Sequence, residues 1–277
     1  FYRFSLQKHK NTIQKARFVK QLLGNKTFVI IGGTTGIGLS AAESFITEGA
    51  KIVIVGRNSN NVDQAIAKLG QSAVGLAGDA TQAQTAVMAI DLAIKKFGDF
   101  NGLYHVAGGS GREMGDGPLH EVTDNGWTKT IELNLSSVFH SNRAALQTLT
   151  KLGQSGTILN MTSILSLSPS PKYFATHAYA TAKSAIIGLT KSTAAYYASR
   201  DIRINAVAPS LIDTPMSERA KGNEEIMNFI NNKQPLDGGR IGLPADLNGA
   251  AVFLMSDAAK FITGQVLAID GGWSLSE

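Results

Sequence analysis

Short apolar runs alternate with longer stretches of helical periodicity from Lys26 to the end of the chain. Several of the runs are nearly continuous Val, Ile and Leu, as expected for strands that are covered on both faces. Strand–helix alternation of this kind predicts a parallel sheet with helices on both sides. The predicted strands are Thr27–Ile31, Lys51–Val55, Ala73–Ala77, Leu103–Val106, Thr157–Met161, Arg203–Val207 and Gln265–Ile269. We therefore predict an α/β fold: a single-domain, doubly wound parallel sheet of about seven strands.

The charge of the chain is concentrated at its beginning. Residues 1–26 hold seven of the 26 Lys and Arg residues and no acidic residue, so the remainder carries 19 basic against 21 acidic residues. A nucleic-acid groove in the body of the protein is therefore not expected. The chain has no cysteine, which excludes disulfides and thiolate chemistry and favours a cytoplasmic location.

Residues 1–25 are predicted to be a basic N-terminal extension that precedes a domain over residues 26–277. Phe18, Val19, Leu22 and Leu23 share a helical spacing before Gly24-Asn25, which favours a packed accessory helix. A targeting remnant and an anion-binding arm are the alternatives. No apolar run is long enough to predict a membrane span.

A glycine-rich turn directly follows the first predicted strand and opens a helix. It comprises Gly32, Gly33, Thr34, Thr35, Gly36, Ile37 and Gly38. Glycines at such a turn let backbone N–H groups reach a pyrophosphate, and the helix N-terminus adds partial positive charge. The position of the turn in a strand–helix–strand unit predicts a Rossmann-type dinucleotide site.

The second predicted strand ends at Gly56-Arg57, where NAD-preferring folds usually place a carboxylate for the ribose 2′-OH. A guanidinium suits a 2′-phosphate by charge and by its forked donors. Arg57 therefore favours NADP(H) over NAD(H), with a solvated loop arginine as the alternative.

Tyr179 and Lys183 are four residues apart at the start of a predicted helix, His177–Ala198, so both side chains lie on one face. Ser163 follows a predicted strand, at the sheet edge where parallel folds bind ligands. An ammonium close to a phenol lowers the phenol pKa and makes proton exchange easier. These residues, with Asn134, form a candidate catalytic group.

The chain resembles the short-chain dehydrogenase/reductase family over about residues 26–274. The resemblance depends on ordered motifs that include the glycine turn, Ala107-Gly108, Tyr179-x3-Lys183 and Asp270-Gly271-Gly272. The general pattern is nearest to the 3-oxoacyl-carrier-protein reductases. Members are mostly homotetramers or homodimers, so the resemblance implies a homo-oligomer.

The resemblance implies a role for each candidate catalytic residue. Tyr179 would be the general acid/base, and Ser163 would orient the substrate oxygen. Lys183 would hold the nicotinamide ribose and lower the tyrosine pKa, and Asn134 would anchor a water in the proton relay. Asp79 would contact adenine, and Ile212 and Thr214 the nicotinamide carboxamide. The implied cofactor-binding residues are Gly32, Thr34, Thr35, Gly36, Ile37, Gly38, Arg57, Asp79, Ala80, Ala107, Gly108, Tyr179, Lys183, Pro209, Ile212 and Thr214.

The sequence also departs from the family pattern. His105-Val106 replaces two amides that normally brace the central strands, and the segment from Ser163 to Tyr179 is longer than usual. Gly108–Gly117 and Pro209–Arg240 are predicted to be loops. Arg112 and Glu113, in the first loop, either border the substrate pocket or are solvated.

We therefore expect an NADP(H)-dependent oxidoreductase that transfers hydride between nicotinamide and a carbonyl or secondary alcohol. The substrate is expected to be a small molecule, with a 3-oxoacyl thioester as one possibility. Small ketones, sugars and steroids are the alternatives, and a non-catalytic NADP(H) sensor is a hypothesis of another class. The five histidines show no metal-ligand spacing, so no metal is expected.

Overall fold

The computed structural model describes residues 21–276, and within them the chain folds around one sheet of seven parallel strands. The strand order is β3-β2-β1-β4-β5-β6-β7, so the direction of winding reverses between β1 and β4. The strands are β1 (Thr27–Ile31), β2 (Lys51–Gly56), β3 (Ala73–Ala77), β4 (Gly102–His105), β5 (Gly156–Met161), β6 (Ile202–Pro209) and β7 (Val266–Ile269). The predicted fold class is confirmed.

Helices connect successive strands and cover both faces of the sheet. They are α1 (Gly36–Thr47), α2 (Ser59–Leu69), α3 (Ala83–Phe97), α4 (Asp124–Ile131), α5 (Ser137–Leu152), α6 (His177–Tyr197), α7 (Glu218–Lys221), α8 (Glu224–Lys233) and α9 (Asn248–Met255). Alternation along β1 divides the core: Phe28 and Ile30 pack with α1, α2 and α9, whereas Val29 and Ile31 pack with α3, α5 and α6. All five residues of β1 are buried, which explains their continuous apolar run.

A third, smaller apolar cluster lies among the loops beyond the strand ends. It joins Ile164, Ile226, Ile230 and Trp273. Part of this cluster comes from Pro209–Arg240, which we predicted to be a loop. That prediction is wrong in part, because β6 extends to Pro209 and the segment holds α7 and α8. The Asn223 side chain caps α8 by accepting a hydrogen bond from the Ile226 N–H.

The end of the N-terminal extension is visible at Leu22–Asn25, which form a turn rather than a helix. Leu23 is fully buried against the α1 side of the sheet, so the extension does contact the domain. Phe18 and Val19, the other residues of the predicted accessory helix, lie outside the described residues. In the part of the chain that the structure describes, no helix has the length and apolar character needed to cross a membrane.

Candidate active site

A cavity of about 620 Å³ opens at the carboxyl ends of the strands, beside the reversal of winding between β1 and β4. Ligands of open parallel sheets bind at this position. Of the residues that the resemblance assigned to catalysis or cofactor binding, all but Gly38 and Asn134 line the cavity: Gly32, Thr34, Thr35, Gly36, Ile37, Arg57, Asp79, Ala80, Ala107, Gly108, Ser163, Tyr179, Lys183, Pro209, Ile212 and Thr214. Gly38 and Asn134 support this wall from behind.

The glycine positions of the turn leave no room for a side chain, so backbone forms the surface there. A Cβ on Gly38 would lie 2.0 Å from the Gly32 carbonyl oxygen, and one on Gly32 would lie 2.6 Å from the Ala107 nitrogen. Helix α1 begins at Gly36, and among the described residues its Thr35 N-cap side chain makes no capping hydrogen bond. The first N–H groups of a helix lack partners within it and carry partial positive charge, and Gly36 and Ile37 line the cavity, which fits a dinucleotide pyrophosphate.

The end of β2 leaves little space for a side chain at Gly56. A Cβ on Gly56 would lie 2.5 Å from the Thr34 side chain, so no acidic side chain fits at that position without a shift. Arg57 is exposed at the cavity wall. Helix α2 starts two residues later with no acidic residue in its first turn. This end of the cavity therefore presents a positive side chain and lies close to a helix N-terminus.

Tyr179 is held in the first turn of α6 by a distant carboxylate that sequence reasoning missed. The buried Asp116 accepts hydrogen bonds from the backbone N–H groups of Ala178 and Tyr179, each at 2.9 Å. Those N–H groups have no partner within a helix. Asp116 is 62 residues from Ala178 and lies in a glycine-rich loop, so no local pattern in the sequence could have identified it.

Lys183 lies one turn further along α6 and is only 2% exposed. Its Nζ donates to the Met161 carbonyl at 3.0 Å and lies 5.6 Å from the centre of the Tyr179 ring. Burial lowers the pKa of Lys183 to about 8. A Cβ on Gly108 would lie 2.8 Å from Asn134 Oδ1 and 3.2 Å from Lys183 Nζ, so a larger residue there would crowd both side chains.

The pKa of Tyr179 is raised, not lowered as the sequence led us to expect. Burial is the larger cause, and the Ser163 side chain beside the phenol opposes the rise. The raised pKa favours the protonated phenol at neutral pH. Ser163 itself is buried beyond β5, where its Oγ accepts a hydrogen bond from the Leu165 N–H at 3.3 Å.

Asn134 lies in a single π-helical turn, Glu132–Ser136, between α4 and α5. Such turns occur often at functional sites. Its Nδ2 donates to the carbonyls of Gly109 and Thr130, and its Oδ1 accepts from the Gly109 N–H at 3.0 Å. The side-chain amide therefore braces the loop after β4 behind Lys183.

His105 takes over the bracing that the sequence suggested was lost. The ring is fully buried at the end of β4, where Nε2 donates to the Ala107 carbonyl at 3.1 Å and Nδ1 accepts from Ser141 Oγ at 2.7 Å. Burial, reinforced by the charge of Lys183, lowers the pKa of His105 to about 3. The imidazole is therefore neutral and structural.

The substrate side of the cavity is formed by loops. Arg112 lines it, whereas Glu113 does not, and His177 is exposed. Arg219 and Trp273, which the sequence analysis did not single out as site residues, are also part of the cavity wall. Among residues 21–276, no three His, Asp or Glu side chains are grouped so that they could hold a metal ion.

A phosphate-binding turn and a Tyr–Lys–Ser group in one cavity define an oxidoreductase that acts on alcohol or carbonyl groups. A family model described as enoyl-(acyl carrier protein) reductase matches residues 32–274. The chain belongs to the short-chain dehydrogenase/reductase family.

Curated relatives and solved structures show the same family and fold. The chain is 33% identical over 260 residues to a 3-oxoacyl-[acyl-carrier-protein] reductase of Chlamydia trachomatis, covering 91% of this chain and 98% of the relative. It is 34% identical over 257 residues to 2-(S)-hydroxypropyl-CoM dehydrogenase 3 of Xanthobacter autotrophicus, covering 90% and 97%. A short-chain type dehydrogenase/reductase structure from Mycobacterium ulcerans superposes with a TM-score of 0.84 at 29% identity, covering 92% and 91%.

Proposed function

We propose that the protein is an NADP(H)-dependent carbonyl reductase or alcohol dehydrogenase. The observation that carries this proposal is the shared cavity wall of Arg57, the glycine turn, Ser163, Tyr179 and Lys183. The bound nicotinamide supplies or accepts the hydride. The protein residues hold the cofactor, orient the substrate oxygen and transfer the proton.

In the reducing direction, Tyr179 donates its phenolic proton to the substrate oxygen. Burial favours the protonated phenol, and the Ser163 hydroxyl binds the same oxygen. Lys183, anchored on Met161 with its Nζ 5.6 Å from the centre of the Tyr179 ring, supplies positive charge near the phenolate that forms. Because Asp116 fixes the start of α6, the phenol is positioned before the substrate arrives.

Replacing Arg57 with Ala is expected to weaken NADPH binding much more than NADH binding. Hydrogen bonds to charged groups contribute about 1.5–3 kcal/mol, so the Kd for NADPH should rise by roughly 10- to 100-fold. The Kd for NADH should change little, because NADH carries no 2′-phosphate. Titrations followed by cofactor fluorescence measure both constants. If the Kd values for NADPH and NADH rose equally, the proposed contact between Arg57 and the 2′-phosphate would be contradicted.

The class of substrate can be tested by measuring turnover of several oxo compounds with NADPH and with NADH. We propose an oxo compound as substrate, and a 3-oxoacyl thioester is one candidate, because a relative with that printed activity shares 33% identity. Acetoacetyl pantetheine is assayed beside simple ketones, keto sugars and oxosteroids. Turnover of ketones without turnover of the thioester would exclude the thioester, and no turnover with any compound would favour the sensor hypothesis.

We further propose that a second copy of the chain packs on the outer faces of α5 and α6. Phe139 and Tyr196 are exposed on these helices, Tyr196 to 65%, beside a groove that Leu146 and Leu189 also line. Exposed apolar patches of this kind often mark interfaces. Sedimentation should give at least twice the mass of one chain, and Tyr196→Glu should shift it towards the monomer. A wild-type monomer would contradict this.

The cytoplasm remains the proposed location. The absence of cysteine supports it, and cell fractionation tests it.

A further inference from the structure

Two arginines converge on one oxygen atom at the substrate side of the cavity. Arg112 Nη2 donates to the Tyr173 carbonyl at 2.9 Å, and Arg219 Nη2 donates to the same oxygen at 3.2 Å. The arginines come from separate segments, one from the loop after β4 and the other from α7. Both line the cavity that contains Ser163 and Tyr179.

The two positive charges are not neutralised by the protein around them. Among residues 21–276, neither arginine forms an ion pair with a carboxylate. Asp116 is close enough to raise the pKa of Arg112, but both of its oxygens accept hydrogen bonds from the start of α6. Burial and the neighbouring Arg219 together lower the pKa of Arg112 more strongly.

The other charged groups near Tyr173 contact its side chain and not the carbonyl that the arginines share. Glu225 accepts a hydrogen bond from the Tyr173 hydroxyl at 3.5 Å, and the Lys172 Nζ lies 4.8 Å from the centre of the same ring. They surround the far end of Tyr173, whereas the arginines bind its backbone. Each guanidinium uses one donor on the Tyr173 carbonyl and has others that remain available.

Below the arginines the wall of the cavity is apolar. Phe174 lies 5.9 Å from the Arg219 guanidinium and 5.7 Å, between ring centres, from Trp273. An apolar wall with paired guanidinium groups at its rim suits a ligand that has an apolar body and an anionic end.

On the basis of the proposed function, we infer that Arg112 and Arg219 form an anion subsite that binds the charged end of the carbonyl or alcohol substrate. The substrate class is then an oxo or hydroxy compound with a carboxylate, sulfonate or phosphate at the end remote from the reacting carbon. Bidentate guanidinium binding is shared by all three anions.

The test measures binding without turnover, so that its outcome does not depend on catalysis. Hexanoate and hexanamide, which have the same apolar chain, are titrated into the NADPH-loaded protein and followed by tryptophan fluorescence, to which Trp273 in the cavity wall contributes. Hexanoate should bind about tenfold more tightly than the amide. Arg112→Gln with Arg219→Gln should abolish this difference while leaving amide binding intact. Hexanesulfonate and hexyl phosphate distinguish which anion is preferred.

Two control variants distinguish binding of the anion by the arginines from a general effect of lost charge or disturbed folding. Lys95→Gln removes one exposed positive charge from α3 and should leave the preference unchanged, and Arg112→Lys should retain part of it. Equal binding of hexanoate and hexanamide to the wild type would overturn the inference. So would a double variant that keeps the difference, or one that loses both ligands equally, because the arginines would then only hold the loop. Failure of the proposed function would appear separately, as intact anion binding without turnover of any oxo compound.

Discussion

Tyr179→Phe is expected to lower kcat by about 10²- to 10⁴-fold, the range that a positioned proton donor contributes. The substitution removes only the hydroxyl that faces Ser163, and the ring keeps its position because Asp116 holds the backbone of α6. The Kd for NADPH should therefore remain close to the wild-type value. Steady-state rates with an accepted ketone and a cofactor titration measure the two quantities.

The matched control is Tyr197→Phe, at the end of the same helix and away from the cavity. It should retain wild-type kcat. Retention of most of the turnover in Tyr179→Phe would exclude this tyrosine as the proton donor. If the wild type bound NADPH but turned over no carbonyl compound, the sensor hypothesis would be favoured.

Gly38→Ala is expected to have the largest effect on cofactor binding. The added Cβ would lie 2.0 Å from the Gly32 carbonyl oxygen and 3.0 Å from the Gly33 Cα, and backbone cannot move aside as a flexible side chain can. Overpacking costs about 1–3 kcal/mol or more, which corresponds to a Kd for NADPH raised by roughly 100-fold if the strain falls on the turn. Thermal unfolding and a cofactor titration measure the two effects.

The control for that substitution is Gly249→Ala in α9, where an added Cβ meets no atom within 4 Å. Alanine is a better helix former than glycine, so stability should stay the same or rise slightly. Gly38→Ala with unchanged NADPH affinity would show that the turn is not the pyrophosphate site.

The sequence predicted the sheet well because its strands are buried on both faces, so their apolar character is continuous and easy to recognise. It also predicted the glycine turn and the Tyr179–Lys183 pair, whose geometry follows from local spacing. Both are found in the cavity wall.

What the sequence could not predict depends on contacts between distant segments. Asp116 reaches α6 across 62 residues, and Arg219 meets Tyr173 across 46. The direction of the Tyr179 pKa shift depends on burial, which a four-residue spacing does not express. Helices α7 and α8 were missed because the segment is polar and their buried residues, such as Ile226 and Ile230, are few.

The third apolar cluster, formed by Ile164, Ile230, Trp273 and their neighbours, is separate from the two clusters that flank the sheet. Substitutions at Ile226 and Ile230 of α8 should therefore change the packing around Trp273, on the substrate side of the cavity, while leaving the two clusters that flank the sheet intact. Exchanging α8 between related enzymes should change the substrate preference, while the melting temperature stays close to that of the parent.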